Sequence, residues 1–254
     1  MNNINTLVEQ YQETSKHSNY QILPSRLASM KEFRDLEIKS RNEKIRLDYF
    51  KSVINFKDKS ILDIGGNTGY FSIELLDDGA RSVHYYEGNK EHANFVTEAS
   101  KVLNLEDKLK ITNSYLSFQD ELEGDRYDIV LLLNVLHHLG DDYGDKSLSL
   151  TKAKENIITQ LNSMADKTDL MIFQMGFNWK GDRNICLFEN GTKRQVIDFI
   201  SKGIKGFWEI VEIGLAMRDG DEVNYHTLNN LNIERDDSLG EFLNRPVFIL
   251  KSLL

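Results

Sequence analysis

Residues 60–72 read SILDIGGNTGYFS: a short apolar run over Ser60–Ile64, a turn with glycines at 65, 66 and 69, and a helical pattern from Tyr70 onward. Three glycines in five positions are more than a bare reversal of the chain needs. Glycine reaches backbone angles that other residues resist, and it lets a ligand touch the main chain. A strand that runs through such a turn into a helix is the opening of an open α/β sheet. In these sheets the turn lies at the carboxyl ends of the strands, where ligands bind.

Working outward, the same alternation continues. Ser82–Tyr86 reads as a second strand, followed by a helix over Lys90–Leu103, and Leu109–Thr112 as a third strand. Tyr127–Leu133 is a fourth, almost wholly apolar, as strands covered on both faces are. A helix over Leu148–Ala165, a strand over Asp169–Gln174, a helix over Lys193–Lys202 and strands at Trp208–Leu215 and Val247–Leu250 complete the pattern. Strands alternating with helices predict a doubly wound, mostly parallel, Rossmann-like α/β sheet of seven strands. The last two have only a polar loop between them, so one is expected to be antiparallel. Residues 1–58 are polar and mostly helical in pattern, with Ile45, Tyr49, Phe50 and Val53 spaced as one helix face within Arg41–Phe56. The expected organisation is a helical extension over 1–58 and one α/β domain over 59–254.

The turn does not fit the common phosphate-binding patterns. Counted from Gly65, a dinucleotide fingerprint would need glycines where Asn67 and Tyr70 stand, and no Gly-Lys-Ser/Thr follows to make a P-loop. The order is instead D-x-G-x-N-x-G, with Asp63 two residues ahead of the first glycine. A carboxylate there repels a pyrophosphate and suits a ligand carrying an amino group. ILDIGGNTGYFS resembles the first motif of the class I S-adenosylmethionine-dependent methyltransferases. The resemblance covers about 59–174 and implies S-adenosyl-L-methionine as cofactor, with S-adenosyl-L-homocysteine as product. It implies that the loop Asp63, Gly65, Gly66, Asn67, Gly69, with Tyr70 and Phe71, wraps the amino-acid end of the cofactor. Asn67 replaces a glycine common in the family, and asparagine also tolerates left-handed angles.

Eighteen residues past Gly69, Glu87 closes the second strand, where a carboxylate can accept two hydrogen bonds from a ribose diol. Gly88 and Asn89 follow it, and Asn89 is expected over one face of the adenine. The third strand ends in Asn113-Ser114-Tyr115, without the acid that the family usually places there, so Ser114 and Tyr115 are the expected substitutes. Tyr127–Leu139 resembles the family's fourth-strand segment, which implies a cofactor contact for Asn134 and places His137 and His138 near the reacting sulfur. A neutral histidine can take the proton of an acceptor hydroxyl, and His138 is preferred over His137 as that base. Gln174, Asn178, Trp179 and Arg183 are expected to line an acceptor pocket, Trp179 by stacking and Arg183 or Lys180 by meeting a phosphate or carboxylate. Tyr20 and Arg26, with His17 and the Arg41/Arg46 helix, are expected to cap it by analogy with the family's N-terminal lids. Asp141, Asp142 and Asp145 follow the histidines closely, but clustered acids in such a loop read as solvated, and no metal is expected.

Composition bounds the function. Lys plus Arg number 31 against 40 Asp plus Glu, a net charge of −9, which disfavours nucleic acid and anionic membrane as partners. The asymmetry is mild: residues 1–58 hold ten basic and eight acidic side chains. Cys186 is the only cysteine, so there is no internal disulfide and no zinc ribbon, in keeping with a reducing cytoplasm. No run approaches the roughly 18 apolar residues of a membrane span, and MNNINTLVEQYQ does not read as a secretory signal. The expected function is O-methylation of a small hydroxylated metabolite, a sugar or sugar-phosphate of a surface-polysaccharide pathway, nucleotide-activated ones included, by a monomer or homodimer. The subgroup that ILDIGGNTGYFS resembles also contains tRNA wobble-uridine modifiers, which makes RNA methylation the alternative. A methyltransferase-fold subunit that supports a partner is the non-enzymatic one.

Overall fold

A computed structural model describes residues 4–12, 21–36, 38, 40–118, 122 and 124–254. The chain forms two compact units, Met1–Leu116 and Ser117–Leu254. They contribute the eight strands of a mixed, Rossmann-like α/β fold.

The first unit opens with helices α1 (Ile4–Gln12), α2 (Ser25–Ala28) and α3 (Glu43–Val53). Strands β1 (Ser60–Ile64), β2 (Ser82–Tyr86) and β3 (Leu109–Thr112) alternate with α4 (Tyr70–Asp77) and α5 (Lys90–Leu103). The strands are parallel in the order β3-β2-β1. Helix α5 forms where the pattern requires it: Asn89 caps its start by accepting from the Glu91 and His92 amides. Ala93, Val96, Ala99 and Leu103 lie buried along one face. Helix α1 packs on α5 with Tyr11 and Phe95 at 5.4 Å between ring centroids. Helix α3 packs on α4 through Phe50 and Phe71, at 5.6 Å. Its buried face is rotated from the expected one. Arg46, Leu47 and Phe50 are buried, whereas Ile45 and Val53 are half-exposed. The Arg46 guanidinium lies over the Phe71 ring at 5.0 Å, so its alkyl stem and planar head count as packing surface.

The second unit contains β4 (Tyr127–Leu133), α6 (Leu150–Ser163), β5 (Thr168–Gln174), α7 (Lys193–Gly203), β6 (Trp208–Asp219), β7 (Glu222–Thr227), α8 (Gly240–Leu243) and β8 (Val247–Ser252). Its order is β4-β5-β8-β6-β7. β4 and β5 are parallel, and the pairings β5–β8, β8–β6 and β6–β7 are antiparallel. β8 and β7 therefore run against the other three. Seven strands with one reversed were expected; the eighth is β7, inside what reads as a polar loop. Its signal is Asp219-Gly220-Asp221, a hairpin turn in which Gly220 takes φ +65° between the paired Asp219 and Glu222. The core of this unit is Phe173, Phe248, Ile249, Leu131 and Ile157, all buried.

Because β8 pairs on both sides and Ile249 is 1 % exposed, Ile249→Ala is expected to cost about 2–5 kcal/mol in denaturant unfolding. Val211→Ala, at the β6 bulge and 52 % exposed, should stay within about 0.5 kcal/mol. Equal losses at the two positions would contradict this core.

Candidate methyl-donor and proton-transfer sites

In the first unit the loops that follow β1, β2 and β3 share the carboxyl edge of three parallel strands. The loop after β1 is held in left-handed backbone at three points: Gly65 at φ +71°, Asn67 at +51° and Gly69 at +78°. Gly66 is needed for space instead, since a Cβ there would lie 2.5 Å from the Tyr85 ring and 3.0 Å from the Asp63 carboxylate. The Tyr85 hydroxyl donates to the Asn67 carbonyl. The Asn67 amide donates to Glu87 Oε2 at 2.8 Å, and the Asn89 amide to Glu87 Oε1 at 2.8 Å. Glu87 thus ties together the loops after β1 and β2.

Asp63 sits beneath this loop, 2 % exposed, and accepts from the Ser72 hydroxyl at 2.6 Å. Burial pushes its carboxyl up to about 6, against the pull of the Ser72 hydrogen bond and with the Glu87 charge adding to the rise. Among the described residues no cationic side chain pairs with it. A buried acid with one hydroxyl partner and no counter-ion fits a ligand ammonium. The Tyr115 ring lies flat over Gly88, with ring atoms about 2.3 Å from where a Cβ would be, and Ser114 is half-buried beside it. Asn89 spends its side-chain oxygen on the α5 cap. Tyr70 and Phe71 are both 3 % exposed and pack edge-to-face at 5.3 Å. They are core residues of the helix start.

Two N-terminal expectations are corrected. Arg26 pairs with Asp77 at 2.9 Å and donates to the Leu103 carbonyl at 2.8 Å. Asp77 and Leu103 end α4 and α5, so Arg26 stands at the opposite end of both helices from the glycine loop. Arg46 is buried against Phe71. Tyr20 and His17 lie outside the described residues. A residue the sequence reading missed, Gln21, reaches the loop instead: its Oε1 accepts from the Thr68 hydroxyl at 3.1 Å and from the Tyr70 amide at 3.0 Å.

In the second unit the carboxyl edge of β4 and β5 carries a polar network. Asn134, at φ +63°, donates from Nδ2 to Gln174 Oε1 at 3.0 Å. Gln174 donates from Nε2 to the Arg245 carbonyl, and Arg245 donates to Asn134 Oδ1 at 2.8 Å and to Glu241 at 2.7 Å. Gln174 is wholly buried in this bracing, so it is not an acceptor contact, and Arg245 was not foreseen. Trp179 is also a brace: its indole donates to the Leu139 carbonyl at 2.7 Å, and the Lys180 ammonium lies 4.5 Å from the ring centroid. It does not offer the open stacking face expected of it. Asn178 is half-buried, and Arg183 is exposed at the tip of the 177–187 loop.

The neighbouring histidines separate cleanly. His137 is buried, and its Nδ1 accepts from the Gly176 amide at 3.2 Å, so Nε2 holds the ring proton. Burial, with the Arg245 charge next, drives its pKa well below the ordinary histidine value. Its lone pair is committed, and it is corrected from candidate base to a neutral packing residue. His138 is half-buried, with Nδ1 3.1 Å from Asp142 Oδ2. The contact brings a carboxylate beside the ring at ion-pair distance, without hydrogen-bond alignment at Nδ1. His138, Asp141 and Asp142 also bring one nitrogen and two carboxylates within 4.8 Å of one another, a set able to hold a cation. Asp145 is used locally by Ser147.

A Rossmann-like fold, a left-handed glycine turn over a buried acid, and a carboxylate at the end of the second strand come together in this chain. The chain belongs to the methyltransferase-domain family, which it matches over residues 30–174. Its cofactor is S-adenosylmethionine, with S-adenosylhomocysteine as the product form. A curated relative is the tRNA U34 carboxymethyltransferase of Aliarcobacter butzleri (strain RM4018), 26% identical over 171 residues, 66% of this chain and 50% of the relative. The chain therefore spans about half the length of the curated relative it matches. Among solved structures, WbdD in complex with the kinase inhibitor LY294002 aligns with TM-score 0.60 and 14% identity, covering 98% of this chain and 47% of that one. SMU.776, solved with SAH, aligns with TM-score 0.51 and 16% identity, covering 83% and 48%. These two share the fold.

An ammonium bound beside Asp63 would hold it ionised, whereas burial raises its carboxyl to about 6 in the free protein. S-adenosylhomocysteine affinity is therefore expected to be flat above pH 7 and about tenfold weaker at pH 5, with proton release on binding. Calorimetry in buffers of different ionisation enthalpy reads both, and Asp63→Asn should remove the pH dependence. Affinity unchanged between pH 7.5 and 5 would take Asp63 out of the donor site.

Proposed function

We propose that the protein methylates a hydroxyl oxygen of a small hydroxylated metabolite, of the sugar or sugar-phosphate class, with His138 as general base. The observation that carries this reading is the His138–Asp142 pair, 3.1 Å apart. A hydroxyl must lose its proton as its oxygen gains a methyl group, whereas an amine with a free lone pair needs no base to attack. The donor supplies a methyl group on a positively charged sulfur, so displacement leaves a neutral thioether and favours positioning over bond activation. His138 Nε2 takes the hydroxyl proton as the C–O bond forms, and Asp142 stabilises the resulting imidazolium. Asp63, the 65–69 loop and Glu87 hold the donor. Arg183, exposed on its loop, meets a phosphate on the acceptor, and residues 1–58 act as a lid.

The net charge of −9 supports a metabolite over a polyanion. A specific observation favours the second reading, RNA methylation: the curated relative is named for tRNA. That relative removes the grounds for setting nucleic acid aside. No helix among the described residues is long and apolar enough to cross a membrane.

The test mixes S-adenosylmethionine carrying a labelled methyl group with the protein and extract from its source. Label is expected in acid-soluble small molecules; label in an RNase-sensitive precipitate would replace the metabolite by RNA. On the acceptor so identified, His138→Ala should lower kcat by roughly 10²–10⁴-fold with little change in donor affinity. Asp142→Asn should lower it in the same direction. Full activity of His138→Ala would remove the base.

A further inference from the structure

We propose that Gln21 is a positioning residue for the methyl donor, supplying from the N-terminal segment the helix cap that the glycine loop cannot supply for itself. Helix α4 begins behind Gly69, which has no side chain to accept from the first turn. A capping Ser, Thr or Asp could not take its place. Gly69 is at φ +78°, and a Cβ there would come within 2.9 Å of Val96 Cγ2. The cap therefore has to come from elsewhere in the chain. Gln21 Oε1 accepts from the Tyr70 amide at 3.0 Å, one of the first-turn donors that have no partner within the helix, and from the Thr68 hydroxyl at 3.1 Å. The Tyr70 amide is only a donor, so the amide oxygen, not the nitrogen, must face it.

Gln21 is itself held. It is 8 % exposed, and its carbonyl accepts from the Tyr11 hydroxyl at 2.6 Å. Tyr11 in turn packs on Phe95 of α5. The residues Gln21 binds, Thr68 and Tyr70, flank the last left-handed position of the loop. Asn67, on the loop's other side, is held from β2 by Tyr85 and Glu87. Losing Gln21 leaves the Thr68–Tyr70 segment without its outside anchor while β1 and β2 stay intact. The effect falls on donor affinity, because the donor must then order that segment as it binds. A helix cap of this kind is worth a factor of roughly 2–30 in an equilibrium constant.

The inference rests on the loop's use as the donor site, and binding of S-adenosylhomocysteine by the unaltered protein checks that separately. The experiment is calorimetric titration of S-adenosylhomocysteine into the full chain and its variants, well below each variant's melting temperature. Gln21→Ala is expected to bind about five- to thirty-fold more weakly. Gln21→Glu keeps an acceptor oxygen and should restore affinity to within about threefold of the unaltered protein. A residue needed only for packing would not separate these two. Thr68→Val, which keeps the shape and removes the hydroxyl, should weaken binding in the Gln21 protein and add little to Gln21→Ala if the contact is the one described. It also serves if Gln21→Ala does not fold. Unchanged affinity in Gln21→Ala, or equal losses in the Ala and Glu variants, would overturn the proposal, as would full affinity in Thr68→Val.

Discussion

The donor site depends on a backbone that cannot stabilise itself. A loop that enters left-handed angles at 65, 67 and 69 cannot satisfy its amides by a regular ladder, and most of them find partners beyond the loop, on Tyr86, Glu87 and Gln21. Its conformation is therefore set by groups outside it. Tyr85 and Glu87 hold Asn67 from β2, and Gln21 holds Thr68 and Tyr70 from the N-terminal segment. Asp63 contributes the opposite kind of constraint. It is a carboxylate that folding has buried at a cost, and a cationic ligand recovers that cost. The tightness of the loop and the discomfort of the acid both favour one small ligand with an ammonium group.

The second unit shows how far two adjacent identical residues can diverge. His137 and His138 lie in one tight helical turn after β4. One ring faces inward, accepts from Gly176 and stays neutral; the other meets Asp142. The direction of each ring decides its partner. Gln174, Asn134 and Arg245 join at the strand ends, so Gln174, which reads as an acceptor contact in the linear sequence, acts as bracing.

Much of this architecture was legible in the sequence because it is local. Apolar runs, glycine positions and capping residues fixed the limits of β2, α5, β3 and β4 to the residue. Asp63 and Glu87 were found because a motif carries them at a set spacing. What escaped was long-range or disguised. Gln21 meets its partners across 47 and 49 residues, and nothing around it distinguishes it from a surface glutamine. Arg245 acts across 111 residues. Trp179 was read as a stacking surface because aromatic residues near a site invite that, and burial is not visible in composition. β7 carried a usable signal, its Asp-Gly turn, hidden by the polarity of Glu222, Asn224 and His226 on its outward side.

That short strand also bears on how the protein behaves at high concentration. β6 is twelve residues long, and β8 pairs with one of its edges over Trp208–Gly214. Its other edge would present a bare row of amides and carbonyls, and β7 occupies that row from Gly214 to Asp219. Along the rest of the edge the bulge at Ile210/Glu212 and the charges of Glu209 and Glu212 interrupt any regular template. Unpaired strand edges recruit other chains into sheets, and charges, bulges and short covering strands prevent it. The hairpin is thus a guard against self-association, keeping a long strand soluble without contributing a single group to the chemistry.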